Sequence, residues 1–177
     1  MPNYLRNRIK GGCYFFTLNL LERHNNQLLV EQIDLLRYVV KKVRIKHPFH
    51  IDAWVVLPEH MHCIWTLPKD DDDYALRIRL IKTLFSKNLP NTERRTTIRR
   101  AKGERGIWQR RFWEHTIRND IDYCRHMDYL HYNPVKHGYV EKVADWPFST
   151  FPHLVRQGVY SENWGIDEIE ISVGEPA

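Results

Sequence analysis

The chain has 177 residues, of which 42% are hydrophobic, and carries 27 basic against 22 acidic groups. That length suits one domain whose core needs no covalent staples, and the hydrophobic content excludes a wholly disordered chain. No apolar run approaches the ~20 residues of a membrane span, and no apolar signal segment follows the basic start, so the expectation is a cytoplasmic, nucleoid-associated protein.

In chain order, Gly11 and Gly12 precede an aromatic-rich segment, 13–20, that reads as a strand. Residues 31–46 place Ile33, Leu36, Val39, Val40 and Val43 at helical spacing and stop near Pro48. Segments 49–57 and 60–67 flank Pro58 and Glu59 and predict two strands of an antiparallel hairpin. After a charged turn, 74–87 predicts a helix with a broad apolar face of Leu76, Ile78, Leu80, Ile81, Leu84 and Phe85. Residues 88–106 are polar and basic, with Pro90 and two glycines, and read as a mobile loop. Residues 108–118 form a fourth strand candidate; Asn119 or Asp120 then caps a helix running to about Asn133, ended by Pro134 and Gly138. This order is that of the ferredoxin-like split βαβ arrangement. It predicts an α+β fold with helices on one face of the sheet and an added C-terminal helix.

Cys13, Cys63 and Cys124 are widely spaced, with no CxxC, which supports neither a disulfide framework nor a zinc ribbon. The charge is unevenly distributed. Residues 161–177 hold five acidic groups and no Lys or Arg, which leaves residues 1–160 with 27 basic and 17 acidic groups, a net +10. The expected organisation is one catalytic domain over 1–160 and an acidic tail over 161–177. A basic body points to a polyanionic partner, and the tail suggests a cover that restrains binding. Candidate phosphate contacts are Arg6, Arg8, Lys10, Arg110, Arg111, Arg118 and Lys136. Trp108, Phe112 and Trp113, interleaved with arginines, could stack unpaired bases or pack in the core.

Two motifs carry chemistry. Residues two apart on a strand share a face, so His60 and His62 project together while Met61 and Cys63 point away. Paired imidazoles make half of a metal site, although most such pairs in proteins are ordinary surface or satisfied histidines. In the second motif, Tyr129 and Asn133 lie four apart on a predicted helix and share its side, with Tyr132 the rival tyrosine. Asn133 can offer an amide oxygen as a third, hard ligand. An ion so held keeps open positions, polarises a phosphodiester and orients an attacking oxygen. A phenol, with its usual pKa near ~10, needs that help. Its attack would give a 5′-phosphotyrosine and a free 3′-OH, a link that conserves bond energy for resealing. Glu59, directly before His60, is expected to face the other side of the strand.

These motifs resemble those of the single-tyrosine HUH transposases, with His60-Met61-His62 as the triplet, and more closely the REP-associated tyrosine transposases, named for repetitive extragenic palindromes. The resemblance runs through GGCYFFT, WVVLPEHMHCIWTLP, IWQRRFWEHTIRN, DYLHYNPVKHG and DWPFSTF, most of residues 8–155. It implies a Mg²⁺- or Mn²⁺-dependent enzyme, acting as a monomer, that nicks and rejoins single-stranded DNA bearing hairpins. By motif position it implies Tyr129 as nucleophile and Asn133 as third ligand. The 88–106 stretch is longer than the resemblance implies. Three rivals are a non-cutting hairpin-binding regulator of the same fold, a replication or conjugation relaxase, and a zinc hydrolase.

Overall fold

The computed structural model describes residues 6–93, 95–165 and 171–174. Strand β1 (Cys13–Asn19) leads through α1 (Leu28–Glu31) into α2 (Ile33–Lys46). Strands β2 (His50–Val56) and β3 (His60–Thr66) form the expected hairpin, followed by α3 (Tyr74–Lys87), the short α4 (Thr97–Ala101) and β4 (Trp113–Thr116). Helix α5 (Asp120–Lys136), a 3₁₀ turn (Val143–Asp145) and α6 (Phe151–Arg156) complete the described elements. The sheet is antiparallel with order β2-β3-β1-β4. This is the α+β, split-βαβ plan.

The alternation of β1 and β3 divides the core in two. Tyr14, Phe16 and Leu18 of β1, with Met61, Cys63 and Trp65 of β3, face α2 and α3. The stripe Leu36, Val39, Val40 and Val43 and the α3 residues Ile78, Ile81 and Phe85 are buried against them. Phe15, Ala53, Val55 and Ile64 point the other way, where α5 buries Met127, Tyr129 and Leu130. Helices therefore cover both faces: α2 and α3 pack on one, and the added helix α5 on the other. The reason is the five-residue buried run Tyr14–Leu18, apolar on both sides except at Thr17, which requires a cover on each face.

Two local readings change. Pro134 lies inside α5 rather than ending it. The helix continues to Lys136 and closes on Gly138 at φ +72°, a conformation glycine adopts freely. The fourth strand is also shorter than expected, Trp113–Thr116, with Trp108 meeting Leu20 only in an isolated bridge. Trp108 and Phe112 pack on the first core and Trp113 on the second.

Within 88–106, Arg105 donates to the carbonyls of Ser86, Leu89 and Pro90 and pairs with Glu93 at 2.5 Å. Arg77 projects from α3 into the interior, 1% exposed, where Asp71 at 2.6 Å and the carbonyls of His47, Pro48 and Asp73 satisfy it. Beyond α5 the chain returns to the outer edge of β2. Val56 donates to the Phe148 carbonyl, Thr150 to that of Trp54, and Trp146 Nε1 to that of Val56. Of the acidic tail, 166–170 and 175–177 lie outside the described residues, so Asp167, Glu168, Glu170 and Glu175 are not placed. Ile171 and Val173 pack against the second core.

Candidate active site

His60 and His62 open β3 on the face that α5 covers, and both are buried. Their rings lie 4.9 Å apart, nearly perpendicular. Each has its Nδ1 engaged. The β1–β3 register sets Thr17 opposite His62, and Thr17 Oγ1 stands 2.8 Å from His62 Nδ1. His60 Nδ1 meets Glu59 Oε1 at 2.9 Å. A carboxylate can only accept, so His60 carries a proton on Nδ1, which fixes the ring's orientation.

Glu59 therefore does not face away from His60. It belongs to the turn before β3, where strand alternation does not apply. There it also receives Arg23 at 3.3 Å and the Tyr139 hydroxyl at 3.2 Å. Burial alone would raise its carboxyl, but the His60 bond and charge, assisted by Arg23, hold it near 2. Burial, reinforced by the charges of His60 and His137, drives His62 well below the usual imidazole range, with the Asn133 amide beside it acting in the opposite direction.

Helix α5 starts on an Asn119 cap, whose side chain accepts from Asp122 N, and carries Tyr129 and Asn133 to this face. The Tyr129 ring sits 5.6 Å from that of His62, edge to face, and 6.0 Å from Phe15. Lys136, one turn beyond Asn133, folds back to place Nζ 3.4 Å from the Tyr129 hydroxyl and 4.6 Å over its ring. Tyr132 instead faces Trp164, at 6.5 Å. Asn133 is wholly buried; its Nδ2 donates to the Tyr129 carbonyl at 2.9 Å, while Oδ1 has no hydrogen-bond partner among the described residues. A buried amide oxygen without a donor costs stability in a metal-free protein. Two histidines oriented through Nδ1 and one lone amide oxygen fit a divalent ion taking nitrogen and oxygen ligands.

The remaining basic candidates do not converge on this centre. Arg6 pairs with Glu114 at 3.3 Å and lies 3.7 Å over Phe112, on the α2–α3 side of the sheet. Arg8 pairs with Asp72 and Asp73, and Arg110 with Glu104. Lys10, Arg111 and Arg118 are exposed. Sequence reasoning missed Thr17 beside His62 and placed Glu59 on the wrong side of His60. It also missed His115, Asp122 and His126, whose ligand atoms lie within 4.8 Å of one another. Register supplies the first, turn geometry the second, and strand-to-helix packing the third; of these, only Glu59, adjacent to His60, left a visible sign.

No protein-family model matches the chain. Over 175 residues it is 51% identical to the REP-associated tyrosine transposase of Escherichia coli (strain K12), across 99% of this chain and 98% of that protein. A solved structure of the REP-associated tyrosine transposase bound to a REP hairpin aligns at TM-score 0.83 and 50% identity, covering 100% of this chain and 99% of that one. Fold and sequence together thus define an enzyme of the transposase class. The chain belongs to the REP-associated tyrosine transposases.

Proposed function

We propose that this enzyme cleaves and rejoins single-stranded DNA at hairpins of repetitive extragenic palindromes, through a covalent link on Tyr129. The observation that carries the reading is the Tyr129 hydroxyl held 3.4 Å from Lys136 Nζ while its ring rests against His62. His60, His62 and Asn133 would hold Mg²⁺ or Mn²⁺, which when bound neutralises charge on the scissile phosphate and polarises it. The ammonium of Lys136 stabilises negative charge gathering on the phenol oxygen as it attacks. The phenol gives up its proton to solvent as the Tyr129 oxygen–phosphorus bond forms, the bond from phosphorus to the 3′ oxygen breaks, and that oxygen takes a proton from solvent and leaves as a hydroxyl. Resealing is the reverse reaction with a new 3′-OH. Thr17 and Glu59 keep both imidazoles aimed during the cycle.

Action as a monomer is part of the same proposal. The relative solved on a REP hairpin supports the same substrate class here. Lys10, Arg110, Arg111, Arg118 and Lys136 would meet phosphates, with Arg6 and Arg8 contributing by exchanging their carboxylate partners.

The test is incubation with labelled single-stranded palindromes and Mn²⁺, with products separated under denaturing conditions. The wild-type chain gives a covalent protein–DNA adduct and Tyr129→Phe gives none. An adduct that persists in Tyr129→Phe would transfer the role to Tyr132. Hairpin binding with no adduct from the wild-type chain would favour a non-cutting regulator. Activity restored by Zn²⁺ but by neither Mg²⁺ nor Mn²⁺ would contradict the ion.

A further inference from the structure

At the start of α5, three side chains converge that the proposed reaction does not use. His115 projects from β4 on the α5 face, opposite Phe15 in the strand register. Its Nε2 lies 2.8 Å from Asp122 Oδ2. His126, one turn further along the helix, brings Nδ1 to 3.1 Å from Asp122 Oδ1. The two imidazoles stack at 4.4 Å, with planes inclined by 14°. Phe15 stands between this cluster and the tyrosine centre, its ring 5.0 Å from His126 and 5.4 Å from His62.

A purely structural role accounts for part of the arrangement. Asp122 accepts from the Arg118 N–H and ties the helix start to β4. It does not account for His126. That side chain is only 3% exposed; Nδ1 is 2.8 Å from the Asp122 carbonyl, and Nε2 is buried without a hydrogen-bond partner among the described residues. A buried ring nitrogen left unmatched is a cost unless something else takes it up.

We propose that His115, Asp122 and His126 form a divalent-metal site separate from the tyrosine centre, selective for nitrogen-preferring ions of the Zn²⁺ class. All three offer ligand atoms within 4.8 Å of one another. Two imidazoles and one carboxylate are borderline ligands suited to Zn²⁺, Co²⁺ or Ni²⁺, whereas Mg²⁺ favours an all-oxygen shell. His115 and Asp122 are each about one-fifth exposed, which leaves a route for the ion and room for a water as fourth ligand. The ion would clamp β4 to the first turn of the helix that carries Tyr129, and so would act on stability rather than on the phosphate.

The test starts from the full chain carrying His60→Ala and His62→Ala, stripped with chelator, so that the proposed active-site ion cannot contribute. Zn²⁺ titrated into this protein should bind at one equivalent per chain. Zn²⁺ at a hundredfold excess over Kd should raise the melting temperature by about 5–10 °C. Co²⁺ should give a visible d–d absorption band. Adding His115→Gln, a position about one-fifth exposed at the rim of the cluster, should abolish all three while leaving the metal-free melting temperature within about 2 °C. No Zn²⁺ binding in the double variant would overturn the proposal. So would an unchanged equivalent after His115→Gln, or a Co²⁺ spectrum that matches the free aqueous ion. None of these readouts depends on DNA cleavage, so the site and the proposed function can fail independently.

Discussion

Glu59 stands one position before β3 and gathers His60, Arg23 and Tyr139 onto a single carboxylate. A residue that orients a metal-binding imidazole shifts affinity without touching substrate. Glu59→Gln keeps the size but can turn a donor toward His60, and should weaken Mn²⁺ binding by about 10- to 100-fold in calorimetric titration. An unchanged Mn²⁺ affinity would remove Glu59 from the site. The His60/His62 pair was legible in sequence because strand alternation is local, and the same holds for Tyr129 and Asn133 on their helix. Thr17 was not legible, because its place beside His62 depends on which residue of β1 pairs with which of β3. Glu59 was misread because alternation was carried one residue past the strand's end.

Helix α5 is the element on which site and fold meet, since one side presents Tyr129 and Asn133 while another buries His131 completely. His131 Nδ1 lies 2.9 Å from the Met127 carbonyl and Nε2 3.0 Å from Thr150 Oγ1, which joins α5 to the chain covering β2. Burial lowers its pKa to about 4 from the ordinary 6.5. A depressed base binds its proton more readily when unfolded. Its contribution is therefore complete above about pH 6.5 and declines as pH falls toward 4, by on the order of 3 kcal/mol. The urea midpoint of the wild-type chain should drop across that window, and His131→Gln should flatten the drop. An equal pH slope in both proteins would refute the assignment. Helical spacing announced α3 correctly, yet Arg77 is buried where periodicity alone gave no sign, because Asp71 and three carbonyls beyond the helix supply its partners. Pro134 was taken for a stop because proline usually ends helices, but this helix extends through it to Lys136.

At the scale of the whole molecule, a chain of net charge +5 implies that the proposed binding to hairpin DNA would be driven in part by release of counterions. With about five phosphates neutralised, log Kd should rise with log salt at a slope of about 4 in fluorescence anisotropy. A slope near zero would exclude the basic residues as phosphate contacts. The number of sheet strands and their order were readable from the sequence, whereas the placement of α5 on the second face was not, since only the buried run in β1 demands it. The return of residues 146–150 to the rim of β2 has a consequence for how the chain is made. Until those residues leave the ribosome, Val55 and Val56 lie on a bare strand edge that can pair with any neighbouring copy. In the folded chain residues 146–150 cover that edge. Nascent or truncated chains that stop short of Trp146 would be prone to aggregation, although the whole tyrosine helix and both histidines would already be present.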